Sequence, residues 1–129
     1  MAAFASAAQG SLAAQLFGRI GITPSDIDVA LLYDHFTPMV VMSLEDFGFC
    51  AKGEGGPFVA QGEIGPAGQL PLNPHGGHLA EVYLHGMNHI IEATRQLRGT
   101  SANQLGSVDL ALVGGAGGVA PTTGCVLGR

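Results

Sequence analysis

Two short runs of apolar residues constrain the fold of this 129-residue chain more than any other feature. Residues 27–33 read Ile-Asp-Val-Ala-Leu-Leu-Tyr, and residues 108–113 read Val-Asp-Leu-Ala-Leu-Val. A run this short and this apolar is typical of a strand that is covered on both faces of its sheet. Helices on either side are the usual cover for such strands. The sequence therefore predicts a layered α/β domain.

Three helices are predicted around these strands. The first covers residues 4–20, which are rich in Ala, Leu and Gln. The second has Thr37 as its N-cap and Pro38 as its first residue, and it ends at Gly48. The third covers residues 77–97 and is closed by a glycine that follows shortly after.

A glycine run at residues 114–118 is followed by a last apolar segment, residues 119–127. The simplest arrangement is a hairpin in which this segment pairs with residues 108–113. The glycine run either supplies backbone N–H groups to an oxyanion or serves as a tight turn that needs positive φ. The order α-β-α-loop-α-β-β predicts one domain over residues 1–129, with a layered mixed sheet and covering helices.

The stretch from residue 51 to residue 71 is dense in Gly and Pro and is predicted to be a long loop. A loop of this length in a small domain is usually functional or lies at an interface. It is either a lid over a substrate or a packed surface loop.

The charge pattern excludes several classes of function. The chain has five Lys and Arg residues and a formal net charge of −5, so it offers no basic surface to nucleic acid. No apolar run reaches the roughly 18 residues of a membrane span. Only 12% of the residues are charged, which indicates that another subunit covers part of the surface. Cys50 and Cys125 are expected to be reduced, buried thiols of a cytoplasmic protein.

The residues that can carry chemistry concentrate in residues 72–86, which read LNPHGGHLAEVYLHG. A Gly-rich turn leads into a helix-like segment with Tyr83 and His85, two side chains that can move protons. Side chains two positions apart on a regular helix diverge, so this pair converges only if the helix is interrupted. Tyr33 is the other tyrosine of the chain. Both tyrosines are either site residues or amphipathic core residues with a satisfied hydroxyl.

A metal site is the alternative interpretation of the same segment. His78, Glu81, His85 and His89 are spaced so that they would lie along one face of the third predicted helix. Imidazole and carboxylate groups are suitable ligands for zinc. The HExxH arrangement of zinc enzymes is absent, and Gly86 and the apolar neighbours do not suggest a metal cage. No metal is therefore expected.

Three segments, in this order, resemble the C-terminal half of enzymes of the thiolase superfamily. Residues 28–37 resemble the strand-to-turn segment that carries Asn-Glu-Ala-Phe or His-Asp-Cys-Phe in thiolases. Residues 73–86 resemble the Asn-x-x-Gly-Gly segment that precedes the catalytic Gly-His-Pro, and residues 112–117 resemble the Cys-x-Gly-Gly-Gly turn.

Among thiolase-like proteins of the lipid-transfer type, the chain most resembles the steroid side-chain-cleaving aldolases. Their Tyr-Asp-x-Phe-Thr, Leu-Glu-Asp-x-Gly-Phe-Cys, Gly-Glu-Gly-Gly and Tyr-Leu-His-Gly segments correspond to residues 33–37, 44–50, 53–56 and 83–86. The resemblance implies the C-terminal half of a thiolase fold and retro-aldol cleavage of a β-hydroxyacyl-CoA with a steroid or other bulky acyl group. The CoA thioester is then the substrate, and no cofactor is expected.

The resemblance also implies the site residues and the partners. The catalytic residues would be Tyr83 and His85, which transfer protons, and Tyr33, which steadies an enolate. The substrate-binding residues would be those of the two glycine turns: His75, Gly76, Gly77, His78, Gly115 and Gly117. The partner would be a small zinc-ribbon plus OB-fold acyl-CoA-binding protein or a separate N-terminal thiolase half. We also expect a homo-oligomer.

Three positions depart from the thiolase pattern. The thiolase histidine aligns with Tyr83, the oxyanion Asn or His with Tyr33, and the C-terminal acid–base cysteine with Leu112. The nucleophilic cysteine of thiolases belongs to an N-terminal half, so thiolytic or Claisen chemistry by this chain alone is not expected. The alternative is a non-catalytic module that binds acyl-CoA or lipid, or that serves assembly. In either case an isolated C-terminal half is expected to expose an apolar face.

Overall fold

The computed structural model describes residues 6–115, 118 and 121–129, and these residues form a three-stranded mixed sheet. Its strands, in order across the sheet, are β1 (Val29–Leu32), β2 (Leu110–Gly114) and β3 (Gly124–Gly128). β1 pairs parallel with β2, and β2 pairs antiparallel with β3. Both predicted apolar strands and the hairpin are therefore confirmed. β3 begins at Gly124, and the described residues just before it, 121–123, are not in the strand. Residue 119, where the strand was predicted to begin, lies outside the described residues.

Helices cover both faces of this sheet, as strands of this composition require. The α-helices of the described residues are α1 (Gly10–Ile20), α2 (Thr37–Asp46), α3 (Gly55–Ala60), α4 (Gly77–Ala80) and α5 (Met87–Arg98). All four residues of β1 are fully buried. Ala30 and Leu32 belong to a cluster with α1 and α2, whereas Val29 and Leu31 belong to a second cluster with α5. The layered α/β class is confirmed.

The first two helices begin at other residues than predicted. α1 begins at Gly10, whereas residues 1–5 lie outside the described part of the chain. The residues just before α1 are held by the Asp46 carboxylate, which accepts from the Ser6 hydroxyl at 2.8 Å and from the Gln9 backbone N–H at 3.0 Å. These bonds replace the helical turn that composition alone favours. In α2 the extended Phe36 takes the N-cap position, and the predicted cap, Thr37, is the first helical residue.

The prediction of one continuous third helix is wrong. The helix is interrupted, and the interruption determines the geometry of the site. α4 ends at Ala80 and α5 begins at Met87. Glu81 is extended, and His85 and Gly86 adopt positive φ angles of 48° and 98°. A helix cannot continue through extended and left-handed residues. Residues 81–86 therefore form a loop between two helices.

The predicted long loop contains the short helix α3, which the Gly and Pro content did not indicate. The backbone N–H of Gly55 donates to Glu45 Oε1 at 3.0 Å. A Cβ at Gly55 would lie only 2.6 Å from Val41 Cγ1, so glycine permits this close approach of α3 to α2. Of the two alternatives for residues 51–71, this packing favours a packed surface segment over a lid.

Cys50 and Cys125 are both free thiols, as predicted. Each is only half-buried, whereas the prediction was that both are buried. Burial raises the pKa of both thiols. Nearby acidic side chains raise the pKa of Cys50 further. Within the described part of the chain, no helix has the length and apolar character needed to cross a bilayer.

An apolar surface is exposed along the loop between α4 and α5 and the first turns of α5. We call it the 79–91 surface, and its exposed members are Leu79, Val82, Leu84, Met87, Ile90 and Ile91. So many large exposed apolar side chains in one short segment are unusual on a free domain and are typical of an interaction site. The expectation of an exposed apolar face agrees with this surface.

Candidate active site

Asn73 brings the glycine-rich segment to β1. Its backbone N–H donates to the Ala30 carbonyl at 3.0 Å. Its side chain accepts from the backbone N–H of Leu32 and donates to the Leu32 carbonyl, both at 2.9 Å. A side-chain amide offers the same donor and acceptor as a peptide unit, so Asn73 acts as a strand neighbour of β1. The residues that follow β1 thereby face the glycine turn.

Asp34 and His78 form a hydrogen-bonded pair at this turn. Asp34 Oδ1 accepts from the backbone N–H of His78 at 2.9 Å and lies 2.8 Å from its Nδ1. Gly77 permits this approach, because its φ is +70° and any Cβ would overlap the Asp34 carboxylate. Burial opposes the ionisation of Asp34, but the hydrogen bonds from His78 outweigh it and hold the pKa of Asp34 below its usual range. Asp34 is therefore a carboxylate acceptor.

The second ring nitrogen fixes the tautomer of His78. The backbone N–H of Gly86 donates to His78 Nε2 at 2.9 Å. A nitrogen that accepts a hydrogen bond carries no proton, so the proton of the neutral imidazole is on Nδ1 and is donated to Asp34. Both nitrogens of His78 are therefore occupied.

The three predicted catalytic side chains lie together beside His78. Tyr33 Oη lies 3.0 Å from His85 Nδ1. The ring of Tyr83 stands edge-on to those of Tyr33 and His85, with centroids 5.9 and 5.3 Å away. Tyr83 and His85 thus converge, as expected for an interrupted helix, although the hydrogen-bond partner of His85 is Tyr33. That these residues are catalytic stays a prediction.

The hydroxyl of Tyr33 is protonated throughout the neutral range. Burial contributes most, followed by the Tyr83 hydroxyl and the Asp34 carboxylate, and together they raise the pKa of Tyr33 to about 12. A phenol of this pKa is a weak base and an effective hydrogen-bond donor. Tyr83 is 40% exposed, so its side chain is open to a bound molecule.

A cavity of about 240 Å³ lies between the start of α5 and the sheet, next to His85. It is lined by His85, Gly86, Met87, Ile90, Val113, Gly114, Gly115, Thr123, Gly124 and Cys125. A second cavity, of about 400 Å³, opens within the 79–91 surface and includes Val82, Leu84 and Ile91. We take the cavity next to His85 as the candidate active site, because it contains the imidazole that pairs with Tyr33.

Gly115 reaches this cavity, but its backbone groups are occupied. Its N–H donates to the Thr123 carbonyl at 2.7 Å, and its carbonyl accepts from Gln9 Nε2 at 2.7 Å. The N–H expected to face an oxyanion is therefore used by the hairpin. Gly117, the other predicted binding residue of this turn, lies outside the described residues, and its role stays a prediction.

His75 lies in a buried row of imidazoles with His89 and His78. The ring centroids of His75 and His89 are 5.2 Å apart, and those of His89 and His78 are 4.1 Å apart. Burial, followed by the neighbouring imidazoles, lowers the pKa of His89 to about 3, and burial lowers the pKa of His75. These two rings are therefore neutral near pH 7. Substrate contact by His75, Gly76, Gly77 and His78 stays a prediction.

The four residues of the metal interpretation do not share a helix face, because the helix is interrupted. Within the described residues, the His, Cys, Asp and Glu atoms that cluster are those of Asp34, His78 and His89, with all donor atoms within 4.8 Å of one another. His89 Nε2 lies 3.7 Å from Asp34 Oδ1. Since Asp34 and Gly86 already occupy both His78 nitrogens, we interpret this group as a hydrogen-bonded pair with a neutral neighbour.

Sequence reasoning did not single out Asp34 and Cys125 as site residues. Asp34 had a signal, because it is the first acidic residue after a strand buried on both faces. The signal for Cys125 is weaker. Cys125 lies in the cavity wall because the hairpin pairs it with Val113, and the sequence does not give that register.

Residues 1–129 match the thiolase C-terminal domain-like family. A 17-hydroxy-3-oxo-4-pregnene-20-carboxyl-CoA lyase of Mycobacterium tuberculosis is 51% identical over 119 residues, which are 92% of this chain and 31% of that protein. A steroid side-chain-cleaving aldolase of Thermomonospora curvata is 53% identical over 119 residues, which are 92% of this chain and 30% of that protein.

Among solved structures, an Ltp2-ChsH2(DUF35) aldolase is 52% identical with a TM-score of 0.90, over 94% of this chain and 31% of that one. The chain therefore spans less than a third of the length of these relatives.

Proposed function

The chain belongs to the thiolase C-terminal domain-like family, and on this basis we propose that it is part of an aldolase that cleaves a β-hydroxyacyl-CoA by a retro-aldol reaction. The observation that carries the proposal is the cluster of Tyr33, Tyr83 and His85 at the end of β1. The names of relatives at 51% and 53% identity, a CoA lyase and an aldolase, support it.

The reaction requires a base, an acid and a donor to the thioester oxygen. A base takes the proton of the β-hydroxyl, and the oxygen electrons form the carbonyl of a ketone as the Cα–Cβ bond breaks. The electrons of that bond move onto the thioester as an enolate, whose oxygen needs a hydrogen-bond donor. A proton delivered to Cα completes a shorter acyl-CoA. One proton leaves the hydroxyl and one reaches Cα, so no cofactor is consumed.

We assign proton transfer to Tyr83 and His85. Imidazole is the side chain that exchanges protons most readily near neutral pH, and His85 lines the cavity. Tyr83 lies beside it and is partly exposed, which supports direct contact with a bound acyl group.

Tyr33 is assigned to the enolate. Its pKa of about 12 makes it a poor base but a good donor to a developing negative charge. Gly117 is kept as a proposed substrate-binding residue on the family resemblance alone, because it lies outside the described residues.

The proposed substrate carries a steroid or another bulky acyl group. The mycobacterial relative is named for a hydroxylated pregnene carboxyl-CoA. The cavity next to His85, at about 240 Å³, has room for the reacting end of such a molecule, whereas a larger apolar body would extend over the adjacent exposed side chains. His75, Gly76, Gly77 and His78 form the turn behind the tyrosines in this arrangement.

We further propose that the chain acts with a partner subunit. The 79–91 surface supports this, because an apolar surface of this kind is normally covered. The candidates are a zinc-ribbon plus OB-fold acyl-CoA-binding protein and an N-terminal thiolase half. The solved relative is named as an Ltp2-ChsH2(DUF35) aldolase, which is consistent with a two-component enzyme. Self-association into a homo-oligomer belongs to the same proposal.

Cleavage of a β-hydroxyacyl-CoA tests the proposal directly. The chain is incubated with the ester alone and with the candidate partner, and mass spectrometry measures the ketone and the shorter acyl-CoA. Native mass spectrometry of the same samples reports the assembly. Tyr83→Phe is expected to lower kcat about 100-fold while the fold is kept.

Thr100→Val is the matched control, because it also removes one hydroxyl but from the surface turn after α5, where its contact to the Arg95 carbonyl is long at 3.5 Å. If no assembly cleaves the ester, or if Tyr83→Phe behaves like Thr100→Val, the aldolase proposal is wrong. Retention of the intact ester by the chain would then favour the non-catalytic binding module.

A further inference from the structure

The imidazole of His78 packs against both tyrosines of the candidate active site. It is 2% exposed and is not among the residues that line the cavity next to His85. Its ring packs against the rings of Tyr33 and Tyr83, with centroids 4.3 and 4.6 Å away. A buried ring with both nitrogens occupied does not exchange protons with a ligand in the cavity. Its contribution is therefore to the position of its neighbours.

The hydrogen bond from Gly86 to His78 holds a corner that the chain does not favour. His85 has a φ of 48° and Gly86 has a φ of 98°. A non-glycine residue in the left-handed region persists only where surrounding contacts impose it. The contacts here are the Gly86 N–H on His78 Nε2 at 2.9 Å and the 3.0 Å contact between His85 Nδ1 and Tyr33 Oη. One bond fixes the backbone of the corner and the other fixes its imidazole.

Asp34 selects the state of His78 that can hold this corner. Only an unprotonated Nε2 accepts from Gly86, which requires the remaining proton to be on Nδ1. The Asp34 carboxylate accepts this proton at 2.8 Å. Because Asp34 follows Tyr33 directly, the same turn after β1 places the phenol and sets the tautomer. A buried second partner that orients an imidazole in this way is a recurring feature of active sites.

We propose that His78 is a positioning residue of the aldolase site. Asp34 keeps it as the neutral Nδ1–H tautomer, and its Nε2 holds the His85–Gly86 corner so that His85 meets Tyr33. The kinetic consequence rests on the proposed function. The tautomer and the bond to Gly86 do not depend on it.

Two variants that differ by one methylene separate the two bonds of His78. In His78→Asn the short amide still reaches Asp34 but not the N–H of Gly86. In His78→Gln the amide oxygen reaches the position of Nε2 and can accept from Gly86. We expect His78→Asn to lower kcat about 100-fold with little change in KM. Without the bond from Gly86 the corner can shift, and a shift of about 1 Å in the reacting groups is enough for a loss of this size. His78→Gln is expected to recover part of this loss.

Gln96→Leu is the matched control for the loss of buried hydrogen bonds. Gln96 is also buried, donates to the Asn103 carbonyl at 2.9 Å and accepts from the Leu105 N–H at 3.0 Å. Its side-chain bonds go to Glu92 and to the turn after α5, and none of them reaches the tyrosines or the His85–Gly86 corner. Its loss is therefore expected to lower stability and leave kcat unchanged. If His78→Asn lowers stability like Gln96→Leu but keeps kcat, His78 is structural only and the inference is wrong.

Nitrogen-15 NMR of histidine-labelled chain tests the tautomer without any turnover. We expect His78 to show a protonated Nδ1 and an unprotonated Nε2, with the assignment made by comparison with His78→Gln. A proton on Nε2 would overturn the inference. If the wild-type assembly cleaves no ester while the spectrum shows the expected tautomer, the proposed function fails and the structural part of this inference stands.

Discussion

The hydroxyl of Tyr33 lies 3.0 Å from Nδ1 of His85, and this contact joins two residues that are 52 positions apart in the chain. Tyr33 is placed by the end of β1, and His85 is placed by the left-handed corner before α5. The pair therefore exists only when both elements are correctly folded. Two side chains that act as one hydrogen-bonded unit are expected to show strongly non-additive substitution effects.

A double-mutant cycle on this pair tests the unit. Tyr33→Phe and His85→Gln are each expected to lower kcat/KM, and the double variant is expected to lose little more than the worse single variant. The coupling free energy should lie between about 0.5 and 3 kcal/mol, the range for residues in direct contact. Tyr33→Phe combined with Thr100→Val is the control, and its effects should add. Full additivity in the Tyr33 and His85 cycle would show that the contact has no role in turnover.

Gly77 is expected to be far less tolerant of substitution than Gly99. Both have a φ of +70°, so alanine at either position meets the same left-handed strain of roughly 1–2 kcal/mol. At Gly99 nothing lies within 4 Å of an added Cβ, whereas at Gly77 it would overlap the Asp34 carboxylate. Gly77→Ala must therefore also disrupt the bond between Asp34 and His78.

Urea denaturation of the two glycine variants gives the comparison. We expect Gly77→Ala to lower the free energy of unfolding by at least about 2 kcal/mol more than Gly99→Ala, since it breaks a buried hydrogen bond to a charged group. Equal losses would mean that Asp34 moves aside without cost.

Acid is expected to destabilise the fold through the buried imidazoles. The pKa of His89 is lowered to about 3 from an unfolded value of 6.5, so below pH 6.5 the unfolded chain binds a proton that the folded chain does not. Stability is therefore complete above pH 6.5 and falls as the pH drops towards 3, by at most about 1.4 kcal/mol per pH unit for one proton. The lowered pKa of His75 acts in the same direction. Asp34, whose pKa is also lowered, contributes only below its ordinary value of 3.8.

His89→Leu isolates this effect, because it removes the titrating group from a site where neither nitrogen has a hydrogen-bond partner among the described residues. The free energy of unfolding, measured between about pH 7 and pH 4, should fall less steeply in the variant than in the wild type. An unchanged slope would assign the acid sensitivity to other groups.

The extent to which the sequence predicts this molecule depends on how local each signal is. The strand around Ala30 and Leu32 follows from a short apolar run of the kind that is typical of a strand covered on both faces. The end of α2 near Gly48 follows equally well, because that glycine adopts a positive φ of 78°. These signals need no knowledge of distant residues.

The loop between α4 and α5 illustrates the opposite case. His85 adopts a positive φ, which sequence does not predict for a non-glycine residue, because the contacts that impose it come from His78 and Tyr33. The resemblance to known enzymes selected Tyr33, Tyr83 and His85, but it did not give the partner of His85. That partner is set by the tertiary contact between β1 and the corner.

Cys125 provides a chemical test of the cavity next to His85, and Cys50 is its internal control. Both thiols are half-buried and have a raised pKa, but only Cys125 lines the cavity. An acyl-CoA without a β-hydroxyl, which cannot be cleaved, is expected to slow alkylation of Cys125 by about tenfold at ten times its dissociation constant. Cys50 should react at an unchanged rate, and both thiols should react faster at higher pH because only the thiolate is nucleophilic. Mass spectrometry of the alkylated chain gives both rates. Equal protection of the two thiols, or no protection of either, would mean that the thioester binds elsewhere.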